Sequence, residues 1–426
     1  MKHVPLTPNQ RRGFFAAWGG WVLDGMDSFI YALVMVPALR ELLPRSGIAA
    51  DQSQVGYYGG LLFALFLIGW GFSLGWGPIA DRFGRVRTLM LTILCYSVFT
   101  FLGAFAGNVW MLAVFRFLAG VGIGGEWSMG GTYIAEELPE TRRKMAAGLM
   151  HTGYYVGVFL AAVANYFIGA RYGWRAMFLV GGTPALLVGF IRFGVTESKR
   201  WENRIAQVGS GWKMRNAFKA LFSKEYKRRT LLNSVYLLIS IVGLWAGSVY
   251  VPSSVTQLAT RSGFTESEAT RLASYGTMIL ASGTIIGCVV LPYLAERFGR
   301  RFTLGIYFML MAMFIWLGFG HVFYLEKNAL PIFMICLFFL GVGGANFAMY
   351  TLWLPEQYRT ECRASAFAFA TSIGRFVGAG ITFLVGAGVS YYGTIGTPVA
   401  LTALAFVVGL LLLPFGEETK GKPLPA

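Results

Sequence analysis

Apolar runs long enough to cross a bilayer recur along nearly the whole chain. A helix needs about 20 consecutive apolar residues to span the hydrocarbon core. Twelve runs meet this length, at residues 13–37, 57–79, 87–106, 109–135, 143–168, 175–195, 229–252, 271–295, 302–320, 330–354, 362–389 and 394–415. The first run is too long for the core of a signal peptide and lacks a small-residue cleavage site, so it is interpreted as a retained span. The pattern predicts an all-α membrane protein with twelve transmembrane helices.

The composition agrees with that pattern, because 56% of the 426 residues are hydrophobic and only 13% are charged. A net charge of +16 also suits a nucleic-acid partner, but the basic residues concentrate in alternate predicted loops. Such loops stay in the cytoplasm, which predicts cytoplasmic termini, a lipid bilayer of the inner (plasma) membrane and no nucleic-acid partner. The four cysteines form no CxxC pair, and neither a metal nor a cofactor is predicted.

Two unrelated motifs each occur twice with nearly the same separation. Asp81 of ADRFGR and Glu296 of AERFGR are 215 residues apart, and Glu140 and Glu356 of the LPE motifs are 216 residues apart. A shared offset predicts a duplicated half of six spans. The predicted organisation is an N-terminal six-helix bundle at 1–197, a cytoplasmic linker at 198–228, a C-terminal six-helix bundle at 229–416 and a cytoplasmic tail at 417–426.

The stretch GPIADRFGR at 77–85, with its repeat after the eighth run, resembles the signature loop of the major facilitator superfamily. The resemblance covers essentially the whole chain and implies two bundles that rock around a central site. Charged groups at the cytoplasmic helix ends are expected to form charge-assisted pairs between the halves. The predicted gating or structural residues are Asp81, Arg85, Glu140, Arg143, Glu296, Arg300, Glu356 and Arg359.

Within the superfamily, RFLAGVGIGGEW at 116–127 and YGWR at 172–175 resemble the proton-coupled organic-acid symporters, which include sialate and monocarboxylate permeases. DGMD at 24–27 resembles the DGxD pattern of the aromatic-acid symporters. The seventh run, around Asn233, lacks the histidine and aspartate of the fungal monocarboxylate permeases, which argues against a lactate-type substrate.

Ionisable side chains at bilayer depth are costly and usually mark an ion or substrate path. Asp24, Asp27 and Tyr31 are spaced three and four apart, so they share one helical stripe. Arg116 of the fourth run can reach Asp27, which resembles a pair in proton-coupled sugar relatives. Because a nearby arginine alters the proton affinity of a buried carboxylate, the residues predicted to couple protons are Asp24, Asp27, Arg116 and Glu126. The alternatives are a static pair that pins two helices and, for Glu126, an ordinary interhelical hydrogen bond.

Arg375 lies near the middle of the eleventh run, in a half that holds no intramembrane acid. Its guanidinium suits a bidentate carboxylate, so it is predicted to bind an anionic substrate. The alternatives are backbone carbonyls or an acid that reaches across from the first half. Tyr31, Tyr154 and Asn346 are predicted to contact substrate as well, although polar residues often only pack between helices. For His151, packing is favoured over proton relay.

These observations predict a secondary active transporter that imports a small organic acid with protons as the coupling ion, by alternating access and as a monomer. The alternatives are a proton-coupled carrier of sugars or other neutral metabolites, and a transporter-like sensor, which would need a long cytoplasmic extension. An enzyme is not predicted, because no nucleophile, metal cluster or phosphate loop stands out. GVGIGG at 120–125 follows no strand and lies in a hydrophobic run.

Overall fold

The computed structural model describes residues 6–76, 79, 85–138, 140–186, 188, 220–358, 360–422 and 425. Within helices it leaves undescribed the side chains at 85, 127–137, 140, 141, 143, 144, 147, 245–247 and 360–365. Every regular element in the described part of the chain is helical. The predicted all-α fold is therefore confirmed.

Twelve helical stretches follow the order of the predicted spans. They are α1 (Pro8–Arg45), α2 (Gln52–Phe72), α3 (Arg85–Gly103), α4 (Val109–Glu137), α5 (Glu140–Ala164), α6 (Trp174–Val180), α7 (Lys227–Ile241 and Val251–Arg261), α8 (Glu266–Phe298), α9 (Arg300–Ile315), α10 (Ala329–Gly344 and Ala348–Trp353), α11 (Thr360–Tyr392) and α12 (Gly396–Leu401 and Ala403–Leu412). Ten helical stretches of the described chain are long and apolar enough to span a membrane. The exceptions are α6, whose predicted span extends into undescribed residues, and α7, whose two stretches are separated by a π-helical turn at Val242–Gly247 and a further turn at 249–250.

Local capping explains why two helices are longer than the apolar pattern alone predicts. Thr7 forms a capping box with Gln10, so α1 begins before the apolar run starts. Thr265 forms the same arrangement with Glu268 at the start of α8. Between α8 and α9, Gly299 has φ +95°, a left-handed conformation that favours glycine and allows a tight turn.

Reciprocal glycine contacts pack equivalent helices in both halves of the chain. A Cβ at Gly69 would collide with the carbonyl of Phe117, and one at Gly120 would collide with the carbonyl of Phe66, so α2 and α4 touch through their backbones. Between α8 and α10 the same relation joins Gly283 to the carbonyl of Phe338, and Gly341 to the carbonyl of Leu280. Such close approach is how helices associate in lipid. The two matching seams agree with the predicted duplication.

The two halves meet along two helix pairs, α2 with α11 and α5 with α8. We call the end of the bundle that holds Arg45 and Gln52 the distal end. There a Cβ at Gly60 would lie 2.8 Å from the Cα of Gly386, and the hydroxyls of Ser53 and Ser390 are 2.6 Å apart. Asn165 of the second pair donates to the Ser274 hydroxyl at 3.0 Å. The distal end is therefore closed by direct contacts between the halves.

Candidate functional site

The predicted pair of Asp27 and Arg116 forms in the middle of the first half. Asp27 lies on α1 and is fully buried, and Arg116 lies on α4 and is 1% exposed. Arg116 Nη1 is 3.9 Å from Asp27 Oδ2, so the pair is an ion pair without a direct hydrogen bond. The guanidinium carbon of Arg116 also lies 4.3 Å from the ring centroid of Phe66 and 5.2 Å from that of Tyr31. The two rings and the carboxylate fix the position of this arginine.

A second acidic group lies one turn earlier on α1. Asp24 is fully buried and interacts electrostatically with Glu126 of α4 and with Asp27. Glu126 Oε1 accepts a hydrogen bond from the Tyr96 hydroxyl at 3.4 Å. A Cβ at Gly20 would lie 3.0 Å from Glu126 Oε2, so the absence of a side chain on α1 makes room for this carboxylate. Three carboxyl groups thus share one water-poor region of the first half.

Arg375 of α11 reaches into this region from the second half. It is 4% exposed, and its guanidinium carbon lies 4.2 Å from the ring centroid of Trp70 on α2. Its electrostatic neighbours are Tyr154 and Asp24, both from the first half. Asp24 is thus an acid of the first half whose charge acts on Arg375 across the boundary between the halves.

Aromatic rings from both halves form a wall beside these charges. His151 of α5 stacks on Phe347 of the second half, with centroids 6.1 Å apart and an interplanar angle of 13°. Trp21 of α1 lies 5.3 Å from Tyr154 and 5.9 Å from His151. These rings therefore present aromatic faces and edges at the boundary between the halves.

Two further residues predicted to contact substrate, Tyr31 and Asn346, donate hydrogen bonds to backbone carbonyls. The Tyr31 hydroxyl donates to the carbonyl of Gly59 at 3.4 Å. Asn346 Nδ2 donates to the carbonyl of Gly343 at 2.8 Å, within a 3-10 turn at Ala345–Phe347 that interrupts α10. Asn346 Oδ1 has no hydrogen-bond partner among the described residues, so its carbonyl end remains available. Interrupted helices at mid-membrane depth commonly adjoin transporter binding sites.

The charged cluster is closed off from solvent in this conformation, because each of its side chains is at most 4% exposed. A separate cavity between the halves, lined in part by Phe29, Tyr155, Leu280 and Thr284, measures about 10 Å³ and contains none of these charged side chains. That volume holds a single water molecule. Across the described residues, no group of three or more His, Cys, Asp or Glu side chains is arranged to hold a metal ion.

Among the predicted gating residues, Arg300 has described partners, and they lie in its own half. It donates to Glu356 through Nε and Nη2 at 2.9 and 2.8 Å, and to Glu296 through Nη2 at 2.7 Å. The expected pairing between halves is therefore not what Arg300 forms. Asp81 and Arg359 lie outside the described residues, as do the side chains of Arg85, Glu140 and Arg143.

The tail beyond α12 completes the Arg300 network. Thr419 Oγ1 donates to Glu356 Oε2 at 2.6 Å, and the Glu418 carboxylate accepts from the backbone N–H groups of Arg300 and Arg301 at 2.9 and 3.1 Å. Burial opposes ionisation of Glu418, but these N–H groups and those of Thr419 and Lys420 hold the pKa of its carboxyl below its usual range. The tail is thereby fastened to the α8–α9 turn.

Three residues of the site escape sequence reasoning, namely Phe66, Trp70 and Tyr96. Phe66 and Trp70 are four apart on α2, so one helix face presents a ring to Arg116 and a ring to Arg375. Aromatics are so frequent in this chain that the spacing alone does not single them out. Their roles depend on how α2 is rotated against α4 and α11.

The sequence and the fold of this chain are similar to those of known membrane transporters. Residues 17–322 match the family described as the Major Facilitator Superfamily. A protein of Cupriavidus pinatubonensis named "Probable 4-methylmuconolactone transporter" is 31% identical, over 97% of this chain and 92% of its own. The sialic acid transporter NanX of Escherichia coli is 26% identical, over 98% and 96%. The 4-hydroxybenzoate transporter PcaK of Pseudomonas aeruginosa is 25% identical, over 96% of this chain and 93% of its own.

The crystal structure of a D-xylose-proton symporter shares the fold. Its TM-score is 0.74 at 21% identity, over 98% of this chain and 100% of that one.

Proposed function

Because the chain belongs to the major facilitator superfamily, whose members are transporters and not enzymes, we propose that it imports a small organic anion together with protons. The distribution of basic residues supports a cytoplasmic position for both termini. The distal end then faces outwards, and the conformation described here is closed on that side. Rocking of the halves would expose the central site alternately to the two sides.

One observation carries the proposal, namely that the buried guanidinium of Arg375 reaches from the second half to Trp70 of the first half, where its charge and that of the buried Asp24 act on each other. When Asp24 takes up a proton, Arg375 loses the negative charge of its counterion. A substrate carboxylate can then replace that charge, since burying an unpaired guanidinium is unfavourable. Binding of the proton and binding of the anion would therefore favour each other.

The same geometry distinguishes the role of the Asp27–Arg116 ion pair from that of the electrostatic interaction between Asp24 and Arg375. Asp27, Arg116 and Phe66 all belong to the first half, so rocking of rigid halves leaves their separation unchanged. Asp24 and Arg375 belong to different halves, and their separation changes with rocking. Asp24 is therefore the better candidate for the proton switch, with Asp27 and Arg116 as a charge pair that shapes its surroundings.

The rings beside Arg375 favour a planar ring acid over a polyhydroxylated one. Trp21, Tyr154, His151 and Phe347 present aromatic surface, against which a ring stacks favourably. The amides of Asn165 and Asn346 already donate to protein oxygens, which leaves fewer donors for a polyol. Two relatives whose names contain ring compounds, 4-methylmuconolactone and 4-hydroxybenzoate, support this choice. A neutral sugar, the alternative substrate class, would not use the guanidinium charge.

The test is uptake into liposomes that hold the purified protein, with and without an inward proton gradient. The labelled panel contains aromatic monocarboxylates, short aliphatic monocarboxylates, sialic acid and neutral sugars. We expect gradient-dependent accumulation of a ring acid, loss of that accumulation in Arg375→Ala, and little change in Arg171→Ala, whose side chain lies near the distal end. Accumulation of a neutral sugar that survives Arg375→Ala would contradict the proposal.

Residue Phe347 tests the ring preference separately. Phe347→Leu removes one stacking surface and should weaken ring-acid binding by about fivefold, since an aromatic pair contributes roughly 0.5–1.5 kcal/mol. Phe339→Leu, a 41% exposed phenylalanine of the same helix, is the matched control. Equal loss for ring and aliphatic acids in Phe347→Leu would contradict the ring preference but leave anion transport intact.

A further inference from the structure

A groove at the junction of α7 and α12 combines a cluster of cations with an apolar wall. Its volume is about 550 Å³, and its charged lining residues are Lys224, Lys227 and Arg228. Its apolar lining residues are Leu231, Leu232, Leu412 and Phe415. We call this surface the basic groove.

Along α7 the chemistry changes from charged to apolar within one helical turn. Lys227 and Leu231 are four residues apart, so they share a face and are separated by about 6 Å along the helix axis. Leu231 is 49% exposed and Phe415 is 56% exposed, and both lie at the end of a predicted span. Along the groove, a charged group is followed by exposed apolar surface. A phospholipid has the same order, with its phosphate at the membrane surface and its acyl chain below.

The charges in the basic groove are not neutralised by the acidic residues around it. Among the described residues, no carboxylate forms an ion pair with Lys224, Lys227 or Arg228; Arg228 Nη2 donates to the carbonyl of Phe415 at 3.5 Å. Glu417, which follows the apolar wall in sequence, is paired with Arg229 at 2.5 Å and with Lys422 at 3.2 Å. Glu225 is exposed and does not line the groove. The groove thus presents three positive charges to whatever occupies it.

A second groove on the other side of α12 provides an internal comparison. Its volume is about 530 Å³, and its apolar lining includes Phe302, Ile306 and Leu410. Its charged lining residues are Arg301 and Glu418, one of each sign. Arg301 Nε donates to the carbonyl of Leu413, and Glu418 accepts backbone N–H groups, so both are already engaged. We call it the neutral groove; the two grooves are similar in size and differ in net charge.

We propose that the basic groove is a binding site for an anionic phospholipid, whose headgroup phosphate contacts Lys224, Lys227 and Arg228. The exposed leucine and phenylalanine side chains hold an acyl chain. The first part of the linker, residues 198–219, carries six basic residues and one acidic residue, so its charge does not complement the groove. A lipid of the inner leaflet supplies the missing negative charge without any other partner.

The site is tested with the full-length protein in nanodiscs that contain phosphatidylcholine with a minor fraction of phosphatidylglycerol. Lipid that remains bound after transfer to detergent is counted by native mass spectrometry. We expect selective retention of phosphatidylglycerol, and roughly tenfold weaker retention in the double variant Lys227→Gln with Arg228→Gln, because each basic residue near a membrane surface adds appreciable attraction for anionic lipid. The control variant, Arg11→Gln with Arg12→Gln, removes two exposed charges from the first turns of α1 and should retain the lipid.

Three results would overturn the proposal. One is equal retention of phosphatidylcholine and phosphatidylglycerol by the native protein. Another is an equal loss of phosphatidylglycerol in the control variant, which would indicate general surface charge. The third is complete competition by soluble glycerophosphoglycerol at matched concentration, which would indicate a phosphate site without a role for the apolar wall. The Arg301→Gln variant, which alters only the neutral groove, should leave retention of phosphatidylglycerol unchanged.

Discussion

The ring of Trp70 on α2 lies 4.2 Å from the guanidinium carbon of Arg375 on α11, so an aromatic face of the first half holds a cation of the second. One turn earlier, Phe66 holds Arg116 in the same way at 4.3 Å. A single face of α2 therefore positions both buried arginines. In the proposed rocking of the halves, the contact between Phe66 and Arg116 would move as a unit, whereas the contact between Trp70 and Arg375 would have to break or slide.

Replacing Trp70 by leucine should weaken anion binding without removing it. The cation–π contact contributes up to about 2 kcal/mol in a dry site, so we expect the KM for the transported acid to rise roughly tenfold. Uptake kinetics in liposomes measure this change. Trp110→Leu alters a tryptophan that is 54% exposed and should leave KM near the native value. An unchanged KM in Trp70→Leu would show that Trp70 does not orient Arg375 for substrate.

Replacing Asp24 by asparagine should uncouple transport from the proton gradient. The asparagine side chain is neutral and therefore imitates the protonated form of Asp24. Exchange of labelled for unlabelled substrate should continue in this variant. Accumulation driven by an inward proton gradient should disappear. Asp51→Asn, at the exposed N-cap of α2, should behave like the native protein. If Asp27→Asn alone produced the uncoupled behaviour, Asp27 rather than Asp24 would be the switch.

Replacing Gly60 by valine should hold the distal end open. A Cβ there lies 2.8 Å from the Cα of Gly386, and backbone atoms cannot move aside as a flexible side chain can. We expect faster modification of a cysteine introduced by Ser53→Cys when a membrane-impermeant thiol reagent is applied from the distal side. Gly19→Val is the control, because it makes the same change in helix propensity at a position with open space around it. It should not alter the rate at which the introduced cysteine is modified. Equal rates in the two glycine variants would indicate that this seam does not close the distal end.

Glu418 should stabilise the tail in a way that depends on pH. Its pKa is lowered in the folded protein, so its contribution is fully present above the ordinary carboxyl pKa of about 4.3 and is lost as the pH falls through the lowered value. Glu418→Gln should therefore reduce the Tm near pH 7, and the difference from the native protein should shrink in acid. Thermal unfolding in detergent across this pH range measures it. Glu326→Gln, an acid in the α9–α10 connection at the opposite end of the bundle, serves as the control. A Tm difference that is constant with pH would contradict a role for the ionised carboxylate.

The hydrophobic pattern predicts most of the fold because lipid imposes one solution on each apolar run. A span must satisfy its backbone groups within itself, so length and composition are sufficient to place helices. The sequence predicts less well where a helix is interrupted. The π-helical turn at Val242–Gly247 and the 3-10 turn at Ala345–Phe347 contain no proline, and both pack against neighbouring helices.

The sequence by itself determined the number and order of the spans, the family, and which ionisable side chains lie at membrane depth. Its spacing also brought Asp24, Asp27 and Tyr31 onto one stripe of α1, since the period of a helix is fixed. Only the tertiary structure decided that Arg375 lies against Trp70 of the other half, and that Arg300 pairs within its own half. Such contacts depend on the rotation and crossing of separate helices. Those are set by side-chain packing and by glycine contacts between helices far apart in the chain, which no local pattern records.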